Sequence, residues 1–320
     1  MISRQHAELS GKYQKVGGAR SKAPRSRSIV LSRSGRGFIL LRYLRDWRFG
    51  GDQERCNRGR IRERRAHKLG RVDHACLDKV VIPPVGASKP ASALGVLVPE
   101  AAMIGLPMRE DGEIAQDDVT VLADLVPQCD LLLVGPGMSA TAETGLFVHG
   151  LLALPPPAML LDAAALTCAS LAELATAARK LPLILTPHHG EMARLIECDR
   201  QAVAANPAHM VGQIVEQTGA YIALKGPETW IGGPGTPILH FAGGCPGLGI
   251  GGSGDVLAGI IGGLLARGAA PIVALGWGVA LHGAAGQLAA TKIGEIGFLA
   301  RELLPFIPRL MQTLAQPLCA

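Results

Sequence analysis

The chain has 320 residues, with 48% hydrophobic and 18% charged residues, which is enough apolar content to bury a sizeable core and excludes disorder along the whole length. Only 4% of residues are aromatic, so that core must be aliphatic and rich in Ala and Gly. The net charge of +6 conceals an asymmetry: residues 1–75 hold 20 Lys/Arg against 6 Asp/Glu, and residues 76–320 hold 12 against 20. A nucleic-acid reading of the high pI therefore applies at most to the first quarter.

The first 75 residues include 16 Arg and little apolar periodicity outside Phe38–Leu44. They are expected not to form a folded unit, and residues 76–320 are expected to carry the domain. Three readings of the basic segment stay open: a nucleic-acid-binding arm, a transit peptide, or a remnant left by a frame disruption. No apolar segment of a secretory signal follows the basic start, and the seven Cys form no C-x-x-C pair. The thiols are thus expected to be idle in a reducing cytosol.

From about Leu94 a regular alternation sets in. Four continuous apolar runs of strand length end in polar or glycine-rich residues: Asp130–Gly137, Ala158–Ala163, Leu181–Pro187 and Ala220–Gly226. Helical patterns separate them around Thr141–Leu152, Leu171–Lys180 and Val211–Thr218. Apolar strands alternating with helices predict an α/β fold with a mostly parallel sheet buried on both faces. Glu228–Gly233 and Thr236–Gly243 read as a hairpin, followed by helices over Asp255–Leu265 and Ile272–Ala289. Gly268–Thr291 is uncharged and long enough to span a bilayer, but Pro271, His282, Gln287 and many small residues mark it as a core helix.

In open α/β sheets, ligands sit beyond the carboxyl ends of the strands. That rule singles out Gly135, Gly137, Asp162, Thr186–Glu191, Lys225 and the loop "GLGIGGSGD" at Gly247–Asp255. The loop places glycines and free N–H groups at a helix mouth, an arrangement suited to phosphate. The helix dipole favours a carboxylate in the first turn, and Asp255 there can take a proton from an attacking hydroxyl. Against this stands tight packing by the glycines with Asp255 as a plain helix-start residue. No Lys-Ser/Thr follows, so the loop is not a Walker motif. Lys225 with the stretch to Thr229 is either a phosphate ligand or a solvated turn. Asp162 either faces the site or caps the next turn. His188 and Glu191 have the spacing of a metal pair but no third ligand, so His188 reads as a substrate contact and Glu191 as a helix-start acid. His149, His209, His240 and His282 are read as structural.

Taken in order, "LLLVGPGM", "LLDAAAL", "LTPHHGEMARL", "LKGPETWI" and "GGSGDVLAGIIGGLLARG" resemble the ribokinase-like superfamily and, within it, the ADP-dependent NAD(P)H-hydrate dehydratases. The resemblance covers about Leu94–Pro308. It implies a three-layer ribokinase-like fold and a lyase that uses ADP or ATP, with Mg²⁺ on the phosphates, to dehydrate S-NADHX or S-NADPHX. It implies Asp255 as catalytic base and, with Gly137 and His188, as substrate contact. Lys225, Gly226, Pro227, Glu228, Thr229 and Gly254 would hold the nucleotide, with no metal ligands among the side chains. It further implies a cytoplasmic homo-oligomer, a tetramer, with no membrane or nucleic-acid partner. The family pattern departs before residue 90, where only Lys15–Ser21 echoes a Gly-Gly turn, so part of the sheet and pocket is in question there. Ala164 also stands where family members often have an acid. A vitamin-type kinase on the same fold and an inactive relic with a basic arm are the alternatives.

Overall fold

A computed structural model of the chain describes residues 28–31, 78–82, 101–106, 118–154 and 156–315. The features expected at Lys15–Ser21 and Phe38–Leu44 lie outside the described residues. Strands β1 (Ser28–Leu31), β2 (Asp78–Ile82) and β3 (Ala101–Gly105) come first. There follow α1 (Asp118–Ala123), β4 (Leu131–Val134), α2 (Ala142–Ala153), β5 (Met159–Leu161), α3 (Ala164–Thr167), α4 (Leu171–Ala178) and β6 (Leu183–Leu185). The next elements are α5 (His189–Leu195), α6 (Arg200–Ala205), α7 (Pro207–Thr218), β7 (Tyr221–Leu224) and the hairpin β8 (Thr229–Gly232) with β9 (Leu239–Phe241). Helices α8 (Ser253–Ala266), α9 (Pro271–Lys292) and α10 (Ile307–Ala315) complete the chain.

Among the described residues the strands make one nine-stranded sheet in the order β3-β2-β1-β4-β5-β6-β7-β8-β9. Pairing is parallel from β3 to β7 and antiparallel from β7 to β9. The chain runs outward from β1 to β3 and then returns to lay β4 on the other side of β1. The direction of winding thus reverses between β1 and β4, the kind of position at which open α/β sheets bind ligands. No element is expected at Ser28–Leu31 from the sequence, yet it pairs residue for residue with β4 from Ser28–Leu131 to Leu31–Val134. A four-residue interior strand is specified by its two neighbours, here β2 and β4, rather than by a periodicity of its own.

The side-chain period of two divides each central strand between two cores. Leu131, Leu133, Leu160, Ile184 and Ala223 face α8 and α9. Leu132, Val134, Met159, Leu161, Leu183, Leu185, Ile222 and Leu224 face α2, α4, α5 and α7. Both faces are covered, which is why the strands read as unbroken apolar runs. Helix α8 lies so close to the sheet that a Cβ at Gly262 would stand 2.9 Å from Leu131 Cδ2. Helix α9 has the length and hydropathy of a membrane span, but 61% of its apolar window is buried inside the protein, and it packs on α8, β7 and β8. Leu133 is 1% exposed at the centre of this packing. Leu133→Ala is expected to cost about 2–5 kcal/mol through lost burial and an unfilled cavity, measured as the loss of unfolding free energy in a urea titration.

Candidate active site at the carboxyl edge of the sheet

The end of β4 is shaped by backbone demands. Gly135 has φ +120°, and a Cβ there would fall 1.7 Å from the carbonyl oxygen of Asp162. The β4 and β5 ends therefore meet backbone to backbone, and only glycine fits. Gly137, φ 73°, turns the chain away at an exposed position.

Three neighbouring strands then each supply one polar group to a common knot. Asp162, one residue beyond β5, is 1% exposed. Its Oδ1 accepts from Lys225 Nζ at 2.6 Å and from Thr186 Oγ1 at 2.8 Å. Thr186 follows β6 and Lys225 follows β7. This decides between the two roles left open for Asp162: the N-cap of α3 is Ala163, with no side-chain cap, and the carboxylate faces the lysine. Burial by itself would lower the Lys225 pKa, but the carboxylates of Asp162, Glu191 and Asp255 outweigh it and hold the ammonium above its usual value. Asp255 thus stands within electrostatic reach of the knot. The Lys225 side chain is 18% exposed and not a solvated turn. Asp162 takes one of its three N–H donors.

His188 and Glu191 build the start of α5. His188 Nδ1 accepts from the N–H groups of Gly190 at 2.9 Å and Glu191 at 3.1 Å, while Glu191 Oε2 accepts from the His188 N–H at 2.8 Å. This reciprocal capping box bears out the helix-start reading of Glu191. In neutral His188 it leaves the proton on Nε2, which lies 3.4 Å from Glu191 Oε1, and the side chain is 59% exposed at the rim. The Lys225 N–H donates to Pro187 O at 2.7 Å, joining this rim to the end of β7. Gly226 lies close beside: a Cβ there would be 2.8 Å from His189 Nε2. Gly226, Pro227 and Glu228 are exposed, and Thr229 opens β8.

The glycine loop divides into two uses. Gly243 and Gly247 serve packing, since their Cβ atoms would stand 2.5 Å from the Phe241 ring and 2.3 Å from the Phe298 ring. Gly249 and Gly251 would meet nothing within 4 Å, and Gly254 only Lys225 Nζ at 3.5 Å. Gly254 thus lies beside the knot, and along the loop at Gly249 and Gly251 a Cβ would fill room that a ligand can take. Gly252, φ 88°, is the left-handed N-cap of α8 and offers no side-chain cap to the first turn, which contains Asp255. Uncapped N–H groups at that end suit an anion.

The Ser253 hydroxyl is turned elsewhere, to His282 Nε2 at 2.9 Å. Burial pushes His282 down to about 4, opposed by a hydrogen bond with the Ser253 backbone and reinforced by the nearby Lys225 charge. His282, read from sequence as a structural histidine, therefore belongs to the underside of the site. The signal was present: it is the single ionisable residue in Gly268–Thr291.

A glycine loop opening a helix beside the carboxyl edge of a mostly parallel three-layer sheet defines a ribokinase-like fold. A ribokinase-like superfamily protein from Enterococcus faecalis V583 has this architecture, at 22% identity, with 94% of this chain and 93% of that chain covered and a TM-score of 0.65. The ADP/ATP-dependent NAD(P)H-hydrate dehydratase from Bacillus subtilis, co-crystallized with ATP/Mg²⁺, matches at 22% identity over 97% of each chain, with a TM-score of 0.67. A family model described as NAD(P)H-hydrate dehydratase matches residues 89–309. The ADP-dependent (S)-NAD(P)H-hydrate dehydratase of Xanthomonas campestris pv. campestris is 37% identical over 228 residues, which is 71% of this chain and 77% of that protein. The chain belongs to the NAD(P)H-hydrate dehydratase family. It spans 44% of the length of a bifunctional NAD(P)H-hydrate repair enzyme from Moorella thermoacetica, at 35% identity.

Two outcomes follow from the buried charges. Lys225→Met leaves the Asp162 carboxylate buried and unpaired, and is expected to destabilise the fold by about 3–5 kcal/mol in chemical unfolding. The depressed His282 pKa, about 4 against the ordinary 6.5, means that the folded state binds fewer protons than the unfolded state between those values. Its contribution to stability is complete above the ordinary value and is lost as the pH falls toward the depressed one. The difference in Tm between wild type and His282→Gln should accordingly shrink on acidification through that window; a constant difference would contradict a buried neutral imidazole.

Proposed function

We propose that the chain is an ADP-dependent hydro-lyase that dehydrates S-NADHX or S-NADPHX to NADH or NADPH, yielding AMP and phosphate. The observation that carries this is the placing of Asp255 and Gly254 beside Lys225 at the mouth of a glycine-rich helix start, in a chain of the hydrate dehydratase family. Hydroxide is a poor leaving group, and phosphorylation of the ring hydroxyl turns it into a good one. Asp255 accepts the hydroxyl proton as the oxygen attacks the β-phosphorus and AMP departs. The ring nitrogen lone pair then expels phosphate, and loss of a proton from the neighbouring carbon restores the reduced nicotinamide.

Lys225, the backbone of Gly226, Pro227 and Glu228, Thr229 and Gly254 flank the phosphates, with the remaining donors of the Lys225 ammonium free of Asp162. Gly137 and the exposed imidazole of His188 lie on the substrate side of the rim. Mg²⁺ fits here, because it keeps several waters and is held by substrate phosphates with one or two carboxylates, and Glu191 and Asp255 are at hand around Lys225. When bound, it neutralises charge on the transferring phosphoryl group. The family match over residues 89–309 supports placing the catalytic unit within residues 76–320. Ile293, Ile296 and Leu299, 51%, 74% and 46% exposed in one segment, support self-association into a homo-oligomer.

The test is recovery of NADH absorbance from purified hydrate and ADP. No recovery, together with ADP release from ATP in the presence of a vitamin-type alcohol, would replace this reading with that of a small-molecule kinase. Asp255→Asn is expected to lower the rate on the order of 10²–10⁴-fold with ADP still bound, and wild-type turnover in that variant removes Asp255 as the base.

A further inference from the structure

Helix α9 presents Gly278, His282 and Gly286 at intervals of four residues, hence along one face. A Cβ at Gly278 would stand 2.4 Å from Ile261 Cγ1 of α8, and one at Gly286 2.7 Å from Leu248 Cγ in the glycine loop. On both sides of His282, side chains of α8 and of the loop therefore pack directly against the backbone of α9. Between these contacts His282 Nε2 meets Ser253 Oγ at 2.9 Å. Ser253 is 4% exposed and directly precedes Gly254 and Asp255.

Serine at a helix start ordinarily turns its hydroxyl back to a backbone N–H. Here the N-cap is Gly252 and the first turn has no side-chain cap. The hydroxyl instead reaches across to a different helix, so the bond ties the mouth of α8 to α9. Two glycine contacts set the distance between the elements, and the hydrogen bond sets the rotation of the first turn about its axis.

We propose that His282 is a positioning residue: through Ser253 it fixes the first turn of α8, so that the loop N–H groups and Asp255 are held in the arrangement that receives the nucleotide phosphates and the hydroxyl. The last clause rests on the function proposed above; the fixing of the turn does not. In this role His282 touches neither nucleotide nor hydrate.

The experiment is a double-mutant cycle on ADP affinity measured by calorimetry in the full-length chain, with amide exchange across Gly249–Val256 as a second readout. His282→Ala and Ser253→Ala are each expected to weaken ADP binding by roughly three- to tenfold. The double variant should be no weaker than either single, since both remove the same bond. His282→Gln, whose amide can reach the hydroxyl, recovers most of the affinity, and the KM for the hydrate changes by less than about twofold. Losses that multiply in the double variant overturn the proposal, as does a lowered Tm with ADP affinity and loop exchange unchanged. Absence of ADP binding in the wild type overturns the function proposed above; faster loop exchange in His282→Ala still supports the positioning role in that case.

Discussion

The short contact between the Lys225 ammonium and the Asp162 carboxylate joins the strand ends on which the proposed ligand site is built. Asp162 comes from the end of β5, its second partner Thr186 from β6, and Lys225 from β7. Asp162 also brings its carbonyl against Gly135, and so reaches the end of β4. Burying a pair of opposite charges is not an economical way to gain stability, because desolvation offsets most of the attraction. What the pair supplies is location: it fixes a positive charge beside the mouth of α8, with Glu191 and Asp255 near enough to sense it. A hydrophobic substitute could hold the strands together equally well, but it would leave no ammonium at a place where phosphate oxygens are expected.

The remainder of the site is arranged by the absence of side chains. Gly135 lets two strand ends touch, and Gly243 and Gly247 let the loop lie on Phe241 and Phe298. Gly262 draws α8 onto the sheet, while Gly278 and Gly286 draw α9 onto α8 and the loop. This close layering suits a core with few aromatic residues: where the chain has few large rings to fill space, aliphatic side chains such as Leu131, Ile261 and Leu248 pack directly onto glycine backbone. Gly249, Gly251 and Gly254 are a different case, because a Cβ there would meet no packing atom other than the Lys225 ammonium, and their separation from the packing glycines is what turns a glycine-rich segment into a site.

The strand-helix alternation after Leu94 was legible because both faces of the sheet are buried, so β4 to β7 carry unbroken apolar runs that stop where the polar knot begins. The hairpin was legible from its Gly-Pro-Gly turn. Strand β1 was not, because its partners are supplied from far along the chain. At the site, Asp255 and Lys225 stood out by position at a helix start and a strand end. The link between Asp162 and Lys225, 63 residues apart, and that between Ser253 and His282, 29 residues apart, were beyond reach because side-chain contacts between neighbouring elements leave no periodic trace. His282 in particular looked like any core histidine until α9 was laid across α8.

The position of β1 has a consequence for synthesis. Ser28 pairs with Leu131, so about a hundred residues must follow β1 out of the ribosome before the sheet can close around it. At ~5–20 residues per second, that is a wait on the order of 5–20 s. During this interval the nascent chain holds a central strand with one or both edges unsatisfied, a template for pairing with other chains. The first 75 residues carry 16 Arg in the same stretch of sequence as that strand, and like charge on nascent copies opposes such pairing until β4 arrives.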